Sequence, residues 1–195
     1  GRESSVEAVP GCEFSADYNG TELHILGLFI ESRHYQTVTD LLEDAQREKE
    51  KSNIELVAAL NEAGYDLDYD AICATCNGRI NRAHIAVAMV EKGYFGDTLA
   101  CFRGPLSEQR GFYRPPKRID AYDCIRFIKS LGAVAVQAHP FLSMDEAALR
   151  EFLPQALEAG LDGMEVAYSK YSPETTAEAV RIAGEFGLLP SGGSD

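Results

Sequence analysis

The chain contains no stretch near the roughly 20 consecutive apolar residues that a membrane-spanning helix needs, and its polar start, Gly1-Arg2-Glu3-Ser4-Ser5, lacks the apolar core of a signal peptide. A membrane or exported protein is not the expectation. Basic residues are scarce. Lysine and arginine total 18 against 31 aspartates and glutamates, and the net charge of −13 excludes a general nucleic-acid surface, which displaces counterions from phosphates with cationic side chains. Cysteines are few and odd in number: Cys12, Cys73, Cys76, Cys101 and Cys124 are expected to be reduced thiols of a cytoplasmic protein. The Cys73-Ala74-Thr75-Cys76 pair has no second pair to complete a zinc site and no thioredoxin-type helix start, so packed or incidental thiols are expected there too. There is no internal repeat and no low-complexity segment.

What is present fits one domain. At 195 residues, with 45% hydrophobic and 25% charged residues, the chain can bury roughly 70% of its unfolded surface. Residues 12–16 and 23–30 read as two strands joined at Asp17-Tyr18-Asn19-Gly20, where Asn-Gly signals a tight turn. Residues 39–63 turn helical and end at Gly64. Asp66, Asp68 and Asp70 open like a calcium loop, but Ala71 and Asn77 stand where that loop needs Gly and Glu, leaving a polar loop. A helix is expected over 82–92, followed by irregular chain over 100–118. After Asp120 the pattern alternates: helix 121–131, strand 133–138, helix 145–159, strand 163–168, helix 172–186 and strand 188–191. Such alternation implies parallel strands with helices outside, and chemistry at the C-terminal strand ends, where His139 and Asp195 fall.

Several side chains are candidates for chemistry. His24, inside the second strand, reads alone as a satisfied core histidine. Glu13 on the neighbouring strand can lie beside it and turns the reading toward a ligand pair. Arg82 and His84 at a helix start read either as an exposed cap or as anion contacts, since a helix N-terminus and a guanidinium both suit phosphate. Arg114 reads either as a substrate contact or as a surface arginine in a loop. Glu165, inside its strand, is a neighbour of the candidate ligands rather than one of them.

Taken in order, Gly11-Cys12-Glu13, His24-Ile25-Leu26-Gly27, Arg82-Ala83-His84, Tyr113-Arg114-Pro115-Pro116, Ala138-His139-Pro140, Met164-Glu165-Val166 and Gly193-Ser194-Asp195 resemble the PHP (polymerase and histidinol phosphatase) phosphoesterase family. The likeness is to its nucleoside-bisphosphate phosphatase and RNase-like branch. It implies an α/β fold, a PHP-type distorted (β/α)7 barrel with a helical insertion at about 37–118 of a domain spanning 1–195. The family's opening His-x-His, a later Asp-His pair and a His two residues after the final Asp have no counterpart, so the barrel is expected to be incomplete at both ends.

The resemblance further implies Glu13, His24, His139 and Asp195 as metal ligands, with His139 and Asp195 catalytic, and Arg82, His84 and Arg114 near the substrate phosphate. Two or three divalent metals, Mn, Fe or Zn, would complete the site, and a mixed histidine and carboxylate set suits those ions. The implied activity is hydrolysis of phosphate esters of nucleotides or short oligonucleotides, as in a 3',5'-nucleoside bisphosphate phosphatase. The alternative is a non-catalytic fragment that binds a phosphorylated ligand or partner. With the absent ligands in mind, the 195-residue chain is expected to bind metal weakly and turn over little.

Overall fold

The computed structural model describes residues 7–76, 80–109 and 111–194, which divide into two compact units, one built from the chain up to Val38 and from Arg118 onward, the other from Thr39–Lys117. The first unit carries all the described strands: β1 (Gly11–Tyr18), β2 (Thr21–Leu28), β3 (Ile119–Asp120), β4 (Val134–Gln137), β5 (Gly163–Tyr168) and β6 (Leu189–Gly193), in the sheet order β3-β1-β2-β4-β5-β6.

The β1–β2 hairpin follows directly from its residues. Asn19 and Gly20 take φ of 50° and 83°, the left-handed pair that a two-residue turn between right-twisted strands requires, and Asp17 Oδ2 accepts from the Gly20 N–H at 3.1 Å. Alternation then separates the faces. Phe14, Ala16, Leu23 and Ile25 are buried, while Glu13 and Ser15 are exposed and His24 is half-buried on the other side. A Cβ on Gly27 would press on Phe14, Ile30 and Ile128, so glycine lets the helix layer close against the hairpin.

Helices α5 (Ala121–Ser130), α6 (Glu146–Ala159) and α7 (Pro173–Glu185) alternate with β3 to β6. Each starts on a side-chain cap: Asp120 accepts from Tyr122 and Asp123, Asp145 from Ala148, and Ser172 from Thr175, with Pro173 at the first turn. Gly160 ends α6 at φ 105°. Between the sheet and these helices Phe152 stacks on Tyr122 with centroids 5.3 Å apart, and Tyr18 packs edge-on against both rings. Lys129 at the end of α5 holds Asp162, whose carboxylate also accepts from the Ala135 N–H at 2.8 Å and so fixes the start of β5 beside β4.

The second unit is helical. Most of α1 (Tyr35–Glu62) belongs to it, with α2 (Tyr69–Thr75), α3 (Arg82–Glu91) and α4 (Thr98–Arg103). Leu56, Leu60, Ile85, Met89 and Leu106 lie at its centre. Asn53 donates to the Ile80 carbonyl at 3.0 Å, and the Asn61 side chain pairs with both backbone groups of Leu67 at 2.8 Å. Among the described residues no helix is long and apolar enough to cross a membrane.

The hairpin makes the sheet mixed: β2 runs against the other five strands and pairs antiparallel with β4 as well as with β1, while β4, β5 and β6 run parallel, as the alternation after Asp120 implies. Glu13 and His24 lie inside their strands, and His139 follows the end of its own. Two expectations need correction. The segment expected to be irregular from residue 100 continues α4 through Arg103, capped by Asp97 accepting from Ala100. The polar loop of aspartates is a helix start, with Asp68 accepting from the Ala71 N–H at 3.1 Å to open α2.

Phe152 is 0% exposed. Phe152→Ala is expected to destabilise the chain by about 3–5 kcal/mol in urea unfolding. Leu142→Ala, at a side chain 48% exposed, is expected to stay within about 0.5 kcal/mol. Equal, small losses in both would show that the aromatic stack is not part of the core.

Candidate metal centre

The open face of the hairpin carries the candidate ligands. Ser15 is opposite His24 in the β1–β2 register, so Glu13, two residues earlier, is the diagonal neighbour of His24 on the same face. Across β2, the Ala138 N–H donates to the His24 carbonyl at 3.0 Å, which sets the end of β4 level with His24. His139 follows and turns its imidazole toward the pair.

The result is a tight triangle. Glu13 Oε1 lies 2.8 Å from His24 Nδ1 and 3.3 Å from His139 Nε2, and the two ring nitrogens are 3.3 Å apart. The three donor groups lie within 4.8 Å of one another, and His139 is 4% exposed. An ion bonded at about 2.1 Å to three donors needs them roughly 3.0–3.4 Å apart for tetrahedral or octahedral angles. The two 3.3 Å edges meet that requirement and the 2.8 Å edge between Glu13 and His24 falls slightly short of it, and two imidazoles with one carboxylate are a donor set for Zn, Fe or Mn.

Carboxylates support the imidazoles from behind. His24 turns Nε2 toward Glu22 Oε1 at 3.6 Å, an ion-pair contact, and Glu22 Oε2 accepts from Arg118 at 2.6 Å. Glu22 raises His24 above the ordinary histidine range and Glu13 adds to this, while His24 first, then Arg118, hold Glu22 down at about 2. A carboxylate on the outer ring nitrogen of a ligating histidine fixes which nitrogen faces the ion. His139 donates its backbone N–H to Glu165 Oε2 at 2.7 Å, its ring packs on Tyr168 at 5.1 Å, and Phe141 N–H donates to the Tyr171 hydroxyl at 2.9 Å.

Of the sequence-derived ligands, the structure brings Glu13, His24 and His139 together; Asp195 lies outside the described residues. Arg82, His84 and Arg114 belong to the second unit. There the Arg82 guanidinium lies 3.7 Å from the centroid of the buried Tyr113 ring and 5.7 Å from that of Phe102. His84 Nδ1 accepts from the Asn81 N–H at 3.1 Å while Asn81 Oδ1 accepts from the His84 N–H at 3.2 Å, a reciprocal cap at the start of α3. Arg114 is exposed and donates to the carbonyls of Gly111 and Tyr113.

Glu22 and Arg118 escaped the reading of the sequence. Period-two alternation puts Glu22 on the face of His24, a usable signal, but the Arg118 contact spans 96 positions and carries none.

No family model matches the chain. A 5'-3' exoribonuclease of Haemophilus influenzae is 29% identical over 195 residues, covering 100% of this chain and 71% of the relative. A 3',5'-nucleoside bisphosphate phosphatase of Chromobacterium violaceum is 27% identical over 188 residues, 95% of this chain and 66% of that protein. In three dimensions an amidohydrolase from Chromobacterium violaceum, solved with bound sulfate and no metal, aligns with a TM-score of 0.80 at 26% identity, covering 96% of this chain and 66% of its own. The chain thus spans about two thirds of the length of these relatives. With the fold and the triangle, these likenesses support a PHP-type phosphoesterase. Its enzyme class is that of the phosphoric ester hydrolases.

Titrating manganese into the purified chain and reading free Mn(II) by electron paramagnetic resonance checks the triangle without interference from thiols, which this hard ion avoids. His24→Ala and His139→Ala are each expected to weaken binding at least about tenfold. Wild-type affinity in either variant would remove that residue from the ligand set.

Proposed function

We propose that the protein hydrolyses phosphate esters of nucleotides or of short RNA ends, with Glu13, His24, His139 and Asp195 holding divalent metal, manganese foremost. The observation that carries this reading is the convergence of the Glu13, His24 and His139 donor atoms. The exoribonuclease and bisphosphate phosphatase relatives support a nucleotide or RNA phosphate as substrate. With a net charge of −13, the chain is suited to small phosphorylated molecules rather than to long nucleic acid held by its backbone.

A divalent ion supplies Lewis acidity toward the phosphoryl oxygens and acidifies a coordinated water. The chain's own residues orient and recognise. Glu22 holds His24 with Nδ1 facing Glu13, and His139 presents Nε2 to the same point. In this reading Arg82, whose guanidinium lies against Tyr113 in the second unit, makes two parallel bonds to phosphate. His84 and Arg114 are the companion phosphate contacts in this reading, and the cap that His84 makes holds its ring at the start of α3.

The same reading takes residues 1–195 as one PHP domain whose sheet is part of a distorted (β/α)7 barrel, with 37–118 inserted into it. The compactness of Thr39–Lys117 as a unit of its own supports the insertion. Free thiols at all five cysteines support a cytoplasmic location.

The test is manganese-dependent hydrolysis of a nucleoside 3',5'-bisphosphate and of a short 5'-phosphorylated RNA by the natural protein that carries these residues. At least one is expected to turn over. His139→Ala should lower kcat/KM by roughly a thousandfold or more, and Arg82→Ala should mainly raise KM, by about 10–100-fold. Hydrolysis of neither substrate, or full activity in His139→Ala, would overturn the assignment.

A further inference from the structure

His139 is held in a backbone conformation that its residue type avoids. Its φ of 26° and ψ of 55° lie in the left-handed region, and Pro140 follows, whose ring biases the preceding residue toward extended backbone. An imidazole kept there must be fixed by its surroundings, and strain of this kind gathers at working sites.

The fixing group is Glu165. Glu165 is 4% exposed, and its Oε2 accepts from the His139 N–H at 2.7 Å, a bond between groups 26 positions apart. The β5–β6 pairing shifts register between Glu165 and Ala167, an irregularity of the kind that re-aims a side chain beside a site. On the far side, Glu165 Oε1 occupies the space of a missing side chain: a Cβ on Gly193 would collide with it. Glycine at 193 is thus what admits the carboxylate. Tyr168 against the His139 ring and Tyr171 on the Phe141 N–H brace the same turn from the β5 side.

We propose that Glu165 is a positioning residue, which locks the peptide plane of His139 through its backbone N–H so that Nε2 is aimed at Glu13 and His24 before an ion arrives. This rests on the reading of that triangle as a metal centre. Glu165 acts through His139, with Oε2 on the backbone N–H of the turn. Preorganising a ligand in this way raises metal affinity, and removing an outer partner of a ligand lowers it by about 10–100-fold.

The experiment compares the full chain with Glu165→Gln, which keeps a carbonyl acceptor of the same reach, and Glu165→Met, which keeps length and loses the acceptor. With 15N-histidine labelling only four backbone histidine amides are visible, and the His139 amide proton is expected downfield and protected from exchange in the wild type. Glu165→Gln should keep most of that shift, and Glu165→Met should lose it. Manganese affinity should stay within about threefold in Glu165→Gln and fall by about 10–100-fold in Glu165→Met. If Glu165→Met does not fold, Gly193→Ala, which crowds the carboxylate without removing it, should displace the same amide signal. An unmoved His139 amide, or a moved amide with unchanged manganese affinity, overturns the positioning role. A wild-type chain that shows the amide signature but binds no manganese overturns the metal-centre reading and the proposed purpose of Glu165 with it.

Discussion

Two imidazole nitrogens and a carboxylate oxygen, all within 3.3 Å of one another, form a cluster of lone pairs that repel unless a proton or a cation lies among them. The arrangement of the first unit follows from meeting that constraint. The hairpin register makes Glu13 and His24 diagonal neighbours, β4 ends level with His24, and the turn at His139 completes the triangle. Glu22 with Arg118 stands behind His24, and Glu165 stands behind His139. Each imidazole is thus set by a carboxylate that does not itself join the triangle, which is how ligand orientation is commonly secured around metals.

The charge balance fits the same account. An acidic chain with acidic side chains around its candidate site repels phosphate unless cations invert the local potential. Divalent ions held at the triangle, as proposed, would supply that inversion in the first unit. In the second unit the Arg82 guanidinium lies against the Tyr113 ring, a placement that limits its motion.

Much of this was legible along the chain because it is local. Asn19-Gly20 announces the hairpin, alternation assigns Glu13 and His24 to one face, and the helix and strand pattern after Asp120 recurs at nearly the expected residues. What was not legible depends on pairing across distance. The sense of β2 against β4 is decided by which strands meet, not by either sequence. The contacts Glu22 to Arg118 and Glu165 to His139 join residues far apart, and the room that Gly193 leaves for Glu165 exists only once β5 and β6 are paired. Local capping was the other gap: Asp68 starts a short helix where clustered aspartates suggested loop, and Asp97 starts another that runs into the stretch expected to be irregular.

The claim on which the account turns is that Glu13, His24 and His139 hold one ion. Anomalous diffraction at the manganese edge, from crystals of the chain soaked in manganese, tests it directly. The account predicts a peak about 2.1 Å from His24 Nδ1, His139 Nε2 and a Glu13 carboxylate oxygen. A peak elsewhere on the chain, with these three side chains hydrogen-bonded only to one another, would contradict it.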